Sequence, residues 1–180
     1  MTLVMAGVAR LVGGWVDTHG PRLPLTVGPV IAGLAFAGLA LAVPRGAYWA
    51  GVLPAMALLG LGMGIAVPPL AAAVMGAAPD DKSGAASGVN NAVSRVSQLL
   101  AVAGLGVLGA SAYRAGIPDG FAEALSGIGF GEAGEGLGAE ADAARRAAIG
   151  AGFRMIALAS GALAWLAAVI GWLTIKEPSG

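Results

Sequence analysis

The sequence has no cysteine, one histidine (His19) and only 11% charged residues. Without cysteine there is no disulfide, no thiolate metal site and no cysteine nucleophile. A single histidine cannot build a His-based metal cluster. No metal, cofactor or enzymatic constellation is therefore expected. Ten basic and ten acidic residues leave a formal charge of zero, and no basic cluster interleaves with aromatics, so nucleic acid is not an expected partner. The N-terminal segment lacks the basic start of a secretory signal, because its first cation, Arg10, falls inside an apolar stretch.

What the chain has in quantity is apolar sequence. Hydrophobic residues make up 57% of the 180 positions, and the mean hydropathy is +0.82. Crossing about 30 Å of hydrocarbon takes roughly 20 apolar residues. Pro24 to Val43, Ala47 to Met75, Ser87 to Ala112 and Ile149 to Ile175 all reach that length. The expected fold is an all-α transmembrane bundle in a lipid bilayer. Soluble core helices are the weaker alternative, since four such runs in one modest chain would be unusual for a domain in water.

Polar punctuation divides the chain. Residues 1–14 are apolar but too few to span, and resemble the second half of a truncated transmembrane helix; an interfacial helix carrying Arg10 is the alternative. Residues 15–23 form a polar loop, and 24–112 hold three spans joined by short loops. Pro44-Arg45-Gly46 suits a tight turn, and Tyr48 and Trp49 stand where an aromatic belt is expected. Pro54, Pro68 and Pro69 favour a kinked second span. Residues 113–148 carry six of the ten acids and many glycines, as a solvent-exposed connector would. A last span covers 149–175, its helix expected to start outside the membrane near Glu140, and 176–180 form a tail. With alternating spans, Lys and Arg divide five against five between the two sides. The usual cytoplasmic excess of positive charge therefore assigns no orientation.

The loop GGWVDTHGPRLPL carries the most specific pattern. Gly13-x-x-x-Asp17-x-x-Gly20-x-Arg22 resembles the cytoplasmic signature loop of the major facilitator superfamily. Glycine permits a tight turn and close helix approach; the aspartate can face a helix N-terminus or a neighbouring arginine. Thr18, Pro21 and Trp15 depart from the pattern, as in a weaker second-half copy. VPPLAAAVMGAAPDDKSGAASGVNNAVSRVSQLLAVAGLGVLG, from Val67 to Gly109, resembles the late segment of the fourteen-helix drug:proton antiporter branch. The resemblance implies the partial second half of a major-facilitator fold, a C-terminal fragment missing its N-terminal transporter portion. It further implies a multi-pass protein of the plasma membrane that exchanges a small-molecule substrate for a proton. Gly13, Asp17, Gly20 and Arg22 would then form a conformational-switch loop on the cytoplasmic side, and the acidic loop would be external.

Within the third full span, Asn91, Ser94, Arg95 and Gln98 follow the i, i+3, i+4, i+7 rhythm of one helix face, with Ser87 one turn earlier. Polar side chains are costly against lipid. The face is expected to line a translocation pathway or the seam between transporter halves, or else Arg95 snorkels and the amides bond neighbouring helices. Gly60-x-x-x-Gly64 and Gly84-x-x-x-Gly88 are expected to allow close helix packing. No acid lies inside a span, so a proton carrier would have to sit in the absent portion. A structural or accessory membrane protein that pairs with a transporter half is the alternative function.

Overall fold

A computed structural model describes residues 20–46, 48–76, 79 and 83–175. The expected half-span 1–14, the aspartate of the signature loop and the tail after 175 lie outside the described residues. Among those described there are helices and turns and no strand.

Helix α1 spans Arg22–Ala42. It starts two residues earlier than the expected start of the span at Pro24. Gly20, at φ +80°, turns the chain into it; that left-handed backbone suits glycine and strains other residues by about 1–2 kcal/mol. Pro24 falls in the first turn, where a missing N–H costs little. The helix tightens into a 3₁₀ turn at Val43–Arg45 and stops at Gly46, whose φ of +65° and N–H bond to the Val43 carbonyl form a left-handed cap. Arg45 Nη1 donates to the Leu41 carbonyl at 2.7 Å, placing a cation at the negative end of the helix.

A wide turn at Tyr48–Val52 leads into α2, Leu53–Gly76, which runs through both Pro68 and Pro69. Tyr48 and Trp49 are exposed there and stack edge to face. Helix α3 covers Ser83–Ala115 and reaches about 50 Å at 1.5 Å per residue. A 3₁₀ turn at Asp119–Phe121 and the one-turn α4, Ala122–Leu125, interrupt the acidic connector. Helix α5 runs Ala139–Thr174. Alanine favours helix, and Glu140 and Asp142 in the first turn complement the macrodipole. The helix thus continues well outside the apolar run.

The four long helices lie in a row, α2–α1–α5–α3, each antiparallel to its neighbour. Alpha-1 holds the middle, packing extensively on both α2 and α5. Its inner residues Ala32 and Ala35 join Leu59 of α2 in a buried cluster, with Phe36, Met56 and Ala164 against it. Small residues set the spacing. A Cβ on Gly28 would come 2.8 Å from the Gly62 carbonyl oxygen, and one on Gly62 would come 2.7 Å from that of Gly28. Across the other seam, the indole of Trp165 fills the space beside Gly33, and its Nε1 donates to the Val30 carbonyl at 3.3 Å. Such close approach gives the dispersion contacts on which helix pairs in lipid depend.

Four of these helices are long and apolar enough to cross a membrane. Their outward residues, including Leu34, Leu70, Leu99 and Leu173, are large and exposed. Burial within the chain falls from 39% of the apolar window in α1 to 11% in α3. Among the described helices the row is therefore open at its α3 end.

Candidate functional site

Helix α3 carries the expected polar face on one continuous helix. Ser87 is half-buried, and Asn91, Ser94, Arg95 and Gln98 are exposed. None of the five makes a hydrogen bond or ion pair with another described residue. Helical spacing continues this face from Gln98 to Leu105, Gly109 and Tyr113. That continuation is where α3 meets α5: a Cβ on Gly109 would touch Ile156, and one on Gly152 would lie 2.8 Å from the Gly109 carbonyl oxygen. One stripe of α3 is thus packed at its C-terminal end and open at its N-terminal end. The opposite stripe, Val89, Val96, Leu100 and Val107, is apolar and exposed.

Between the two ends lies an apolar groove of about 830 Å³, walled by Leu100, Gly104 and Leu108 of α3 and by Ala159, Leu163 and Leu166 of α5. None of the five polar residues lines this groove. The glycine pair 84/88 does not pack as expected: a Cβ at either position meets nothing within 4 Å. The open end of the row removes the neighbour that this spacing would have required. Gly60 and Gly64 are buried in α2.

The signature loop is only partly described. Gly13 and Asp17 lie outside the described residues; Gly20 and Arg22 lie inside. Arg22 opens α1, and its Nη2 donates to the Trp172 carbonyl at 3.2 Å while its guanidinium sits 4.1 Å from the Trp172 ring centroid. A cation at the C-terminal turn of α5 is favoured by the helix dipole and by the ring face. The loop's exit is thereby tied to α5, and the described members of the two groups stand apart, Gly20 and Arg22 at the start of α1 and the five polar residues on α3.

Sequence reasoning missed the Arg22–Trp172 contact, which joins residues 150 positions apart. It also missed Gly28 and Gly62 as the points where the backbones of α1 and α2 meet closely, although Gly28-x-x-x-Ala32 and Gly62-x-x-x-Ala66 have the small-residue spacing that could have indicated them.

The family model of the Major Facilitator Superfamily matches residues 1–102. Neither a curated protein nor a solved structure matches the chain. The matched region takes in the signature loop, α1, α2 and the polar half of α3.

Proposed function

Since the chain belongs to the Major Facilitator Superfamily, a family of membrane transporters, we propose that it forms part of one wall of a secondary transporter that works by alternating access. The observation that carries this reading is the polar face of α3, which among the described residues is open and unpartnered. In lipid such a face would cost several kcal/mol, since a central arginine alone costs about 3 kcal/mol on insertion scales. Against water or a second polar surface it costs little. Its continuity with the α3–α5 contact stripe supports an inward orientation, toward the part of the transporter that supplies the other wall.

The proposed transporter is a proton-coupled exporter of drugs or other small molecules in the plasma membrane, in the manner of the fourteen-helix antiporters. The loop containing Asp17 is cytoplasmic in this reading, and the acidic connector 116–138 is external. No carboxylate lies among the apolar spans, so the proton would be carried by another part of the protein. These 180 residues should therefore not transport alone. Proteoliposomes holding only this chain are expected to show no uptake of a fluorescent organic cation under a proton gradient, measured against protein-free vesicles. Saturable, gradient-driven flux would overturn that reading.

A further inference from the structure

Helix α5 carries a cation inside the apolar part of the bundle. Arg154 is exposed and lines a cavity of about 560 Å³ formed with Pro44 at the end of α1 and with Ala112, Ala115 and Gly116 at the end of α3. Its depth follows from the helix packing. A Cβ on Gly150 would lie 3.6 Å from the Pro44 Cβ, so Gly150 sits level with the end of α1. Arg154 is one turn further on, about 6 Å inside. Helical side chains lean toward their own N-terminus, and for α5 that direction leads back to the membrane surface. The guanidinium is thereby carried to headgroup depth while its stem stays in the apolar layer.

Among the described residues no carboxylate meets it. Helices α1 and α3 contain no acidic residue, and the two on α5, Glu140 and Asp142, lie about 18 Å or more away along the axis. Asp142 is in any case paired with Arg145 and Arg146. An unneutralised charge at this depth is costly. The bilayer itself supplies an anion there, the lipid phosphate.

An apolar furrow leads away from the arginine. Met155, Leu158, Ala162 and Leu166 follow one stripe of α5, and Ala112, Leu108, Leu105 and Ala101 one stripe of α3. The first members of each stripe line the cavity at Arg154 and the later ones line the groove of about 830 Å³, so the two spaces succeed each other on one face. From Arg154 to Leu166 the furrow runs about 18 Å, close to the hydrocarbon depth of one leaflet, about 15 Å. Among the residues lining either space, Arg154 has the only polar side chain. One cation at the head of a leaflet-long apolar furrow is the complement of an anionic head on acyl chains.

We infer that the α3–α5 furrow is a binding site for a phospholipid of net negative charge, such as phosphatidylglycerol. The phosphate pairs with Arg154, and an acyl chain lies along the furrow. A zwitterionic lipid fits less well, since nothing lining the cavity would receive its ammonium. The lipid adds contacts to α3, the least buried of the four spans, where it parts from α5. The site lies apart from the polar face of α3 and stands independently of the transport reading.

Native mass spectrometry of the full chain released from neutral detergent, with phosphatidylglycerol and phosphatidylethanolamine added in equal amounts, tests this. One phosphatidylglycerol per chain should be retained, with about a tenfold preference, and it should raise the melting temperature. Arg154→Gln should abolish the preference. Gly104→Leu fills the furrow where a Cβ meets nothing within 4 Å; it should weaken retention about fivefold and leave the melting temperature of the lipid-free chain unchanged. Arg45→Gln is the control for general surface charge, because Arg45 lies at the same end of the bundle and is bonded to the Leu41 carbonyl. It should leave retention unaltered. Equal retention of the two lipids, an equal loss in Arg45→Gln and Arg154→Gln, displacement by millimolar glycerol 3-phosphate, or dimers of the chain in place of lipid adducts would overturn the inference.

Discussion

Replacing Gly62 with leucine should separate α1 from α2 and sharply reduce the yield of monodisperse protein in mild detergent. The Cβ alone would lie 2.7 Å from the Gly28 carbonyl oxygen and 2.8 Å from the Ala32 nitrogen, both backbone atoms. A flexible side chain could swing away, but here a helix must move. Overpacking of this kind costs about 3 kcal/mol or more, a large share of a stability of order 5–15 kcal/mol. Alanine at this position should already be harmful, because the added Cβ is the clashing atom. Gly88→Leu is the internal control, since nothing lies within 4 Å of a Cβ there. It should leave the melting temperature within about a degree or two, as surface substitutions usually do. Equal effects of the Gly62 and Gly88 substitutions would contradict the packing order described above.

The second large effect is functional. In the intact transporter, Asp17→Asn should lower transport about tenfold or more, a coupling of roughly 1.4 kcal/mol or above, without reducing insertion into the membrane. The substitution keeps the shape of the side chain and removes its charge. Gly20 fixes the turn that follows, and Arg22 is tied to the Trp172 carbonyl and ring. The exit of the loop is thereby anchored to the end of α5, and a charge four residues before Pro21 can act on a partner in one transport state and release it in the other. Transport measured with equal amounts of inserted protein separates this from a folding defect. Unchanged rates would count against a switching role.

Much of the helix inventory could be read from composition, because an uninterrupted apolar run of bilayer length has few other physical uses. The order of packing could not. Every long helix here is apolar nearly all round, so periodicity does not single out the inner face, and α1 is central only because Gly28 and Gly33 admit a helix on each side. Among 31 glycines, the pair at 84 and 88 has the same spacing as 60 and 64, yet the first pair faces open space. The polar face of α3 was legible for the opposite reason: against so apolar a background, five polar residues on one stripe stand out. The ties of Trp165 to the Val30 carbonyl and of Trp172 to Arg22 depend on which helix lies alongside.

The central claim is that the face bearing Asn91, Ser94 and Gln98 meets water or protein rather than lipid. The native chain has no cysteine, so single cysteines can be placed without a competing thiol from these residues. In an intact transporter with its other cysteines removed, the decisive measurement is the rate at which a membrane-impermeant maleimide labels cysteine at positions 91, 94 and 98 compared with 89, 96 and 100. Rapid labelling of the first set, slowed by bound substrate, beside inert positions 89, 96 and 100 is the predicted result. Labelling confined to the Val89, Val96 and Leu100 positions, or equal and negligible labelling of both sets, would contradict it.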